Sequence, residues 1–194
     1  MDGGRVNQKR RTRNAILAAA TELVRAGRTV TMPEVAKAAE VSEATAYRYF
    51  PDLASLLREA VAGTLFDPAE ALAPLADRVD PVARVAAATE HLLRHVLTHE
   101  GAVRAMIAAT ITRPADTVAR PGLRFGLIEA ALAPPAELGG MAAPELAQLK
   151  RDLAVVMSAE ALFGLTDLHG LPAGEAVDSI VHTASVLTRA ALES

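Results

Sequence analysis

The chain has 194 residues, of which 51% are hydrophobic, 3% are aromatic and none is cysteine. This length is sufficient for a sizeable core, and the missing cysteines exclude disulfides and thiolate metal sites. An interior built from Ala, Leu and Val favours closely packed helices. The sequence has no charge-free apolar run of about 18 residues, so we expect no membrane span. It also lacks the apolar block of a signal peptide, and we expect a cytoplasmic protein.

The net charge of −3 is distributed unevenly along the chain. Residues 1–65 carry ten Lys and Arg against seven Asp and Glu, whereas the remainder carries ten against sixteen. The positive excess is concentrated near the amino terminus, in Arg5, Lys9, Arg10, Arg11 and Arg13. Such a segment is either an arm that anchors on phosphates or a minor groove, or a solubilising terminus without fixed structure. The sequence is compatible with both interpretations.

The first predicted helix runs from Arg10 to Ala26 and ends at Gly27. Its apolar residues recur every three or four positions, as on the buried face of an amphipathic helix: Ile16, Leu17, Ala20, Leu23 and Val24.

Two short helices are predicted between Thr31 and Phe50. Thr31 and Glu34 have the spacing of a capping box, and the proline between them is tolerated in a first helical turn. Ser42 is an N-cap candidate for a second helix over residues 43–49. Two helices of about two turns joined by three residues form a helix-turn-helix, whose second helix can enter a DNA major groove.

Half of the six aromatic residues lie at the end of this second helix, as Tyr47, Tyr49 and Phe50. Rare aromatic residues beside Arg48 on a short polar helix are suited to a surface that holds a sugar-phosphate backbone and reaches base edges. The alternative is a three-helix core module without a role in nucleic acid binding.

The segment T-M-P-E-V-A-K-A-A-E-V-S-E-A-T-A-Y-R-Y-F is similar to the DNA-binding domain of the tetracycline-repressor-like (TetR) family. The positions that match the family pattern are Thr31, Val35, Ala36, Ala39, Val41, Ser42, Thr45, Tyr47 and Phe50. The resemblance implies an all-α fold with an N-terminal helix-turn-helix domain and a C-terminal helical domain for ligand binding and dimerisation. It places the arm and helix-turn-helix in residues 1–52, a linking helix in 53–66 and the second domain in 67–194.

Three residues depart from the family pattern. Glu40 replaces the glycine of the turn, where φ > 0 is often needed and costs a residue with a side chain about 1 kcal/mol. Tyr49 replaces a histidine and can still donate to a phosphate. Leu53 replaces a lysine beside the backbone, so we expect one phosphate contact fewer.

The resemblance also implies roles for individual residues. Thr31, Tyr47 and Tyr49 would hold phosphates, and Ser42 would cap the recognition helix and touch a phosphate. The residues that would face the bases are Glu43, Ala44, Thr45 and Arg48. Phe50 is expected in the core beneath the recognition helix.

Further helices are predicted from caps and apolar spacing. Asp52 can cap a helix from Leu53 to about Leu65, Asp67-Pro68 marks a domain boundary, and Asp80-Pro81 begins a helix to Thr98. The remaining predicted helices cover residues 101–112, 123–133, 141–169 and 173–192.

The last two predicted helices are apolar on more than one face, and such helices need a second partner. A two-fold interface between subunits meets this need and is what the family resemblance implies, with a purely intrachain bundle as the alternative. A two-fold dimer would bind a palindromic DNA operator with recognition helices about 34 Å apart, or a multiple of that distance.

In relatives, the middle helices enclose a small-molecule effector. The aliphatic composition favours a hydrophobic ligand, and the family resemblance implies a repressor that such a ligand releases from DNA. The candidate effector-binding residues are His95, Met106, Thr110, Phe125, Glu129 and Phe163.

A histidine stripe is formed by His91, His95 and His99 at successive helical turns. Surface or structural histidines are the first interpretation, and a metal-binding or small-molecule-binding helical bundle centred on the stripe is the alternative function. We find no catalytic arrangement, complete metal-ligand set or cofactor motif, and therefore expect a non-enzyme without a cofactor. A helical adaptor that binds protein instead of DNA is a further alternative. The alanine-rich composition is typical of a GC-rich bacterial source.

Overall fold

The fold is all-α in the described part of the chain. A computed structural model of the protein describes residues 3–28, 30–62, 65–75, 80–112, 122–133 and 140–193. These residues form no strand and fold into α1 (Gly3–Arg25), α2 (Met32–Ala38), α3 (Glu43–Tyr49), α4 (Leu53–Ala62), α5 (Pro68–Leu72), α6 (Pro81–Thr98), α7 (Glu100–Thr112), α8 (Leu123–Ala131), α9 (Ala143–Val156), α10 (Ala159–Phe163) and α11 (Ala173–Leu192). The predicted fold class is confirmed.

The chain divides into two compact units. The first comprises Met1–Leu65 and Thr98–Pro121, and the second comprises Phe66–Leu97 and Gly122–Ser194. The first unit is larger than the predicted domain of residues 1–52, because α4 packs against α1 and α7 packs against α4. Its core joins residues from all five helices, including Ile16, Val35, Ala46, Leu57 and Met106.

The second unit has a core of its own, formed by α5, α6, α8, α9 and α11. Leu127 and Leu153 are among its fully buried side chains. The Arg84 side chain is also buried, and its Nη2 atom donates to the carbonyl oxygen of Ala130 at 2.6 Å. A cation at this place satisfies a carbonyl group at the C-terminal end of α8 and opposes the helix dipole.

Several element boundaries differ from the prediction. Helix α1 begins at Gly3 instead of Arg10. Helix α4 is described as far as Ala62, and its predicted continuation over residues 63 and 64 lies outside the described residues. The Asp67-Pro68 pair, predicted as a boundary, also begins the short helix α5, because the Asp67 side chain accepts a hydrogen bond from the Ala69 N–H at 2.7 Å. An Asp-Pro pair can begin a helix as well as end the preceding one, and the apolar residues that follow determine whether a new helix forms.

The predicted single helix over residues 141–169 is wrong. The chain interrupts it between α9 and α10, where Ser158 adopts extended backbone angles, φ −140° and ψ 151°. The Ser158 hydroxyl accepts from the Ala161 N–H at 3.1 Å and so caps a new helix start, and a π-helical turn, Gly164–Leu168, follows α10. Helix α11, in contrast, has the predicted bounds of Ala173 and Leu192.

The sequence predicts no membrane-spanning helix. Within the described ranges, no helix is both long enough and apolar enough to cross a bilayer.

Candidate nucleic-acid interface

Helix α2 begins with the predicted cap. The Thr31 hydroxyl oxygen accepts from the Glu34 N–H at 3.3 Å, and the same hydroxyl donates to the Glu34 carboxylate at 3.0 Å. Val35 and Ala36 are buried beneath the helix. The hydroxyl proton of Thr31 is therefore directed at a carboxylate of its own helix, and it must turn away to reach a phosphate.

The turn between α2 and α3 has the backbone conformation that the family glycine suggested. Glu40 has a φ of 54° and is the one residue besides glycine with positive φ in the described part of the chain. The turn is closed by a hydrogen bond from the Val41 N–H to the Ala36 carbonyl oxygen at 2.9 Å. A side-chain-bearing residue thus occupies a left-handed position, which costs about 1–2 kcal/mol.

We expect Glu40→Gly to raise the free energy of unfolding by about 0.5–1 kcal/mol. Glycine removes the left-handed penalty, and the larger entropy of the unfolded chain offsets part of the gain. Urea unfolding followed by circular dichroism measures the change. Glu43→Gly is the matched control, because Glu43 is exposed in a right-handed helix and should lose about 1 kcal/mol. A loss of stability in Glu40→Gly would contradict the claim that the left-handed conformation of Glu40 is strained.

The recognition helix α3 is capped and polar. The Ser42 hydroxyl oxygen accepts from the Thr45 N–H at 3.2 Å and lies 2.9 Å from the Thr45 hydroxyl oxygen. Ala46 is fully buried, and Phe50, which follows the helix, is 1% exposed, as predicted. The short helix is thus held on one side and leaves its other side to solvent.

The solvent side of α3 carries the predicted contact residues. Glu43, Ala44, Tyr47 and Arg48 are exposed, and the Tyr47 side chain is 48% exposed despite being aromatic. Thr45 and Tyr49 on the same helix are half-buried. All the predicted contact residues except Thr31 therefore lie on α3 or its cap.

Arg48 is held at the surface by an aromatic neighbour. Its guanidinium carbon lies 5.4 Å from the centre of the Tyr49 ring, which is within the range of a cation–π contact. Stacking of this kind orders a long side chain before a ligand arrives, and the fork of a guanidinium can pair with a guanine edge.

The position of the missing lysine is explained by packing. Leu53 is half-buried against the core of the first unit, and the Asp52 side chain beside it accepts from the Ser55 N–H at 2.7 Å. Helix α4 thus begins with a cap and an apolar contact where relatives place a cation.

The basic segment at the amino terminus is part of a helix. Lys9, Arg10 and Arg11 are exposed on α1, and Arg10 donates to the side-chain oxygen of Asn7 at 3.2 Å. The side chain of Arg5 lies outside the described residues. The three exposed cations therefore lie on an ordered helix, and the interpretation as a terminus without fixed structure does not apply to them.

Arg13, the last member of that basic cluster, has a different environment. Its Nη2 atom lies 2.6 and 2.7 Å from the two carboxylate oxygens of Glu59 in α4. Its guanidinium carbon lies 4.9 Å from the centre of the Phe50 ring. This pair carries no signal in the sequence, because 46 positions separate the two charged residues and no local pattern joins them.

Two of the predicted effector-binding residues lie in the first unit. Met106 is buried in its core, and the Thr110 hydroxyl donates to the Met106 carbonyl oxygen at 2.8 Å within α7. The Thr110 hydroxyl proton is therefore used by its own helix.

The other four predicted effector-binding residues lie in the second unit. His95 is half-buried and Phe163 is buried, whereas the Phe125 ring is 55% exposed. The Glu129 carboxylate accepts from the Lys150 ammonium at 2.6 Å. Their assignment to an effector site stays a prediction.

The histidine stripe is divided between different environments. The rings of His91 and His95 lie 4.5 and 5.0 Å from the Phe66 ring centre, at interplanar angles of 86° and 82°. His99 belongs to the first unit, and burial lowers its pKa below the usual value for histidine. Across the described ranges, no group of three or more His, Cys, Asp or Glu side chains is arranged to hold a metal ion.

Two capped helices, a left-handed turn and an exposed polar face on the second helix define a helix-turn-helix DNA-binding domain. Residues 16–60, from α1 into α4, match the family model described as bacterial regulatory proteins, tetR family. The predicted resemblance is thereby confirmed for the DNA-binding domain, and the match supports a DNA-binding transcriptional regulator of this family. A comparison with curated proteins found no match.

Proposed function

We propose that the protein is a homodimeric, ligand-responsive repressor that binds a palindromic operator and is released by a small hydrophobic molecule. The observation that carries the DNA-binding half of this proposal is the exposed face of α3, where Tyr47 and Arg48 lie in solvent beside a buried Phe50. An exposed aromatic residue beside a guanidinium forms a surface that can hold a sugar-phosphate backbone and reach base edges.

The proposed contacts are those that the family resemblance implies, and the exposure of Glu43, Ala44, Tyr47 and Arg48 on α3 supports them. The base-facing residues are Glu43, Ala44, Thr45 and Arg48. The phosphate-facing residues are Thr31, Ser42, Tyr47 and Tyr49. Arg48 is the strongest candidate for sequence discrimination, because a bidentate arginine–guanine pair contributes about 1–3 kcal/mol.

The proposed dimer uses α9, α10 and α11. Leu168, which follows α10, is 90% exposed, Val155 in α9 is 74% exposed, and Val186 in α11 is also exposed. Large exposed apolar side chains on neighbouring helices support burial against a second copy of the chain. Two-fold symmetry would then match a palindromic operator, with recognition helices about 34 Å apart or a multiple of that distance.

The proposed effector is hydrophobic because the helices that would enclose it are mainly aliphatic. The candidate contacts remain His95, Met106, Thr110, Phe125, Glu129 and Phe163. A coupling free energy of about 1–3 kcal/mol between effector and DNA would be sufficient for regulation, so modest differences in contact are enough. A regulator of this kind acts in the cytoplasm, where its DNA is.

The deciding experiment is a fluorescence-anisotropy titration of the protein with duplex DNA from immediately upstream of its own gene. A scrambled duplex of equal composition is the control, and sedimentation gives the stoichiometry. Two chains on each operator, with at least about 1000-fold preference over the scrambled duplex, support the proposal. Equal affinity for both duplexes and for a pool selected from random DNA would overturn it.

We expect Arg48→Ala to weaken operator binding about tenfold or more while leaving the affinity for scrambled DNA nearly unchanged. The reason is that a lost base contact removes discrimination, and each 1.4 kcal/mol corresponds to a factor of ten. Arg25→Ala is the matched control, since Arg25 is an exposed arginine of the same unit that pairs with Glu22. An equal loss on both duplexes would reassign Arg48 to a phosphate.

A further inference from the structure

Arg13 connects three helical segments of the DNA-binding unit. It extends from α1, its Nη2 atom contacts both carboxylate oxygens of Glu59 in α4, and its guanidinium lies over the ring of Phe50 at the end of α3. The two charged side chains are 41% and 37% exposed. The pair is therefore partly shielded from water, where charge-assisted hydrogen bonds are stronger than on an open surface.

Helix α3 packs mainly against α2, and few of its side chains orient it relative to α1 and α4. It has seven residues, of which only Ala46 is buried, and the next large anchor is Phe50 at its C-cap. A helix of this length is not stable by itself, and apolar burial is not directional. A hydrogen-bonded ion pair against Phe50 supplies the directional constraint that apolar contacts lack.

We infer that Arg13 and Glu59 are positioning residues for DNA reading. By tying α1 to α4 across the face of Phe50, the pair sets the direction in which α3 presents Arg48 and its neighbours to the bases. This inference rests on the proposed function, since it assigns a determinant of specificity to the same DNA-binding site. Neither residue needs to touch DNA in this role.

The competing role for Arg13 is a direct phosphate contact, which its place in the basic cluster had suggested. The geometry favours positioning, because both Glu59 oxygens already accept from the Arg13 guanidinium. A phosphate would have to displace this carboxylate and separate the arginine from Phe50.

The test measures the ratio of operator affinity to scrambled-duplex affinity in Glu59→Gln, Arg13→Gln and the double variant. We expect each single variant to lower the ratio about tenfold, through operator affinity, and the double variant to lower it by no more than either single one. Glu22→Gln is the matched control, because it breaks the exposed Arg25–Glu22 pair of the same α1 helix. Its ratio should equal that of the wild type.

The competing role gives a different pattern. If Arg13 binds phosphate, Glu59→Gln frees the arginine and raises the affinity for both duplexes, while Arg13→Gln lowers both. Either that pattern or an unchanged ratio in both single variants would overturn the inference.

A second measurement does not depend on DNA. The chain has two tyrosines and no tryptophan, and both tyrosines lie on α3, so tyrosine fluorescence reports on this helix alone. At a temperature where all variants are fully folded, we expect acrylamide to quench Glu59→Gln and Arg13→Gln more strongly than the wild type or Glu22→Gln. Equal quenching in all four proteins would overturn the positioning role even if the wild type selects no DNA, whereas absent DNA selection alone would overturn only the proposed function.

Discussion

Replacement of Phe50 by alanine is expected to lower the free energy of unfolding of the first unit by about 3–5 kcal/mol. The ring is 1% exposed and is the largest fully buried side chain of the protein's described core. Its loss leaves a cavity at the point where α3 meets α4, and it also removes the surface on which the Arg13 guanidinium lies. DNA binding should be lost with the fold of this unit.

The measurement is urea unfolding followed by tyrosine fluorescence, which senses α3, and by circular dichroism, which senses all helices. Phe125→Ala is a closely matched control, because an arginine lies over this ring too, with the Arg124 guanidinium carbon 5.1 Å from its centre. Since Phe125 is 55% exposed, its loss should change stability by less than about 1 kcal/mol. Similar losses of stability in Phe50→Ala and Phe125→Ala would show that burial of the Phe50 ring is not the source of its contribution to stability.

The features that could be predicted from the sequence are those in which cause and effect lie within one helical turn. The caps at Thr31 and Ser42 and the start signal at Asp80-Pro81 are of this kind, because the side chain and the backbone group that it satisfies are two or three residues apart. The left-handed turn at Glu40 was expected because the family pattern has a glycine at this position. Local hydrogen bonding therefore accounts for most helix starts.

The features that could not be predicted depend on distant partners. The interruption at Ser158 carries no proline or glycine signal, and its serine cap competes with a helix that the apolar spacing would continue. Two contacts join residues that are 46 positions apart. One is the Arg13–Glu59 ion pair, and the other is the hydrogen bond from the buried Arg84 of α6 to the Ala130 carbonyl oxygen at the end of α8. In both cases, the sequence around the arginine is typical of an ordinary surface arginine and does not indicate the distant partner.

The two candidate sites differ in the same way. The candidate DNA-binding residues other than Thr31 all lie within the eight positions from Ser42 to Tyr49, so one motif identifies them together. The candidate effector residues come from four helices and from both compact units, as Met106 in one and Phe163 in the other illustrate. Helical spacing identifies which of them are apolar, but it carries no information about which ones share a cavity.

Raising the salt concentration from 50 to 200 mM is expected to weaken operator binding about 1000-fold. Binding of cationic side chains to phosphates releases counterions, so the logarithm of the affinity falls with the logarithm of salt by about 0.9 for each phosphate neutralised. Exposed cations of the first unit that could take this role include Lys9, Arg10, Arg11 and Lys37. We expect about three contacts in each subunit, or about six in a dimer, and hence a slope of about −5.

Two variants separate charged from neutral phosphate contacts. Arg10→Gln should make the slope less steep by about two, because each subunit of the dimer loses about one neutralised phosphate.

Tyr47→Phe should weaken binding to operator and scrambled duplexes alike, yet it should leave the slope unchanged, since a phenol hydroxyl donates a hydrogen bond without releasing a counterion. Anisotropy titrations at four salt concentrations give both slopes. A salt-independent affinity in the wild type would mean that the exposed cations of α1 and α2 do not face the DNA backbone, and an altered slope in Tyr47→Phe would mean that this residue positions a neighbouring cation.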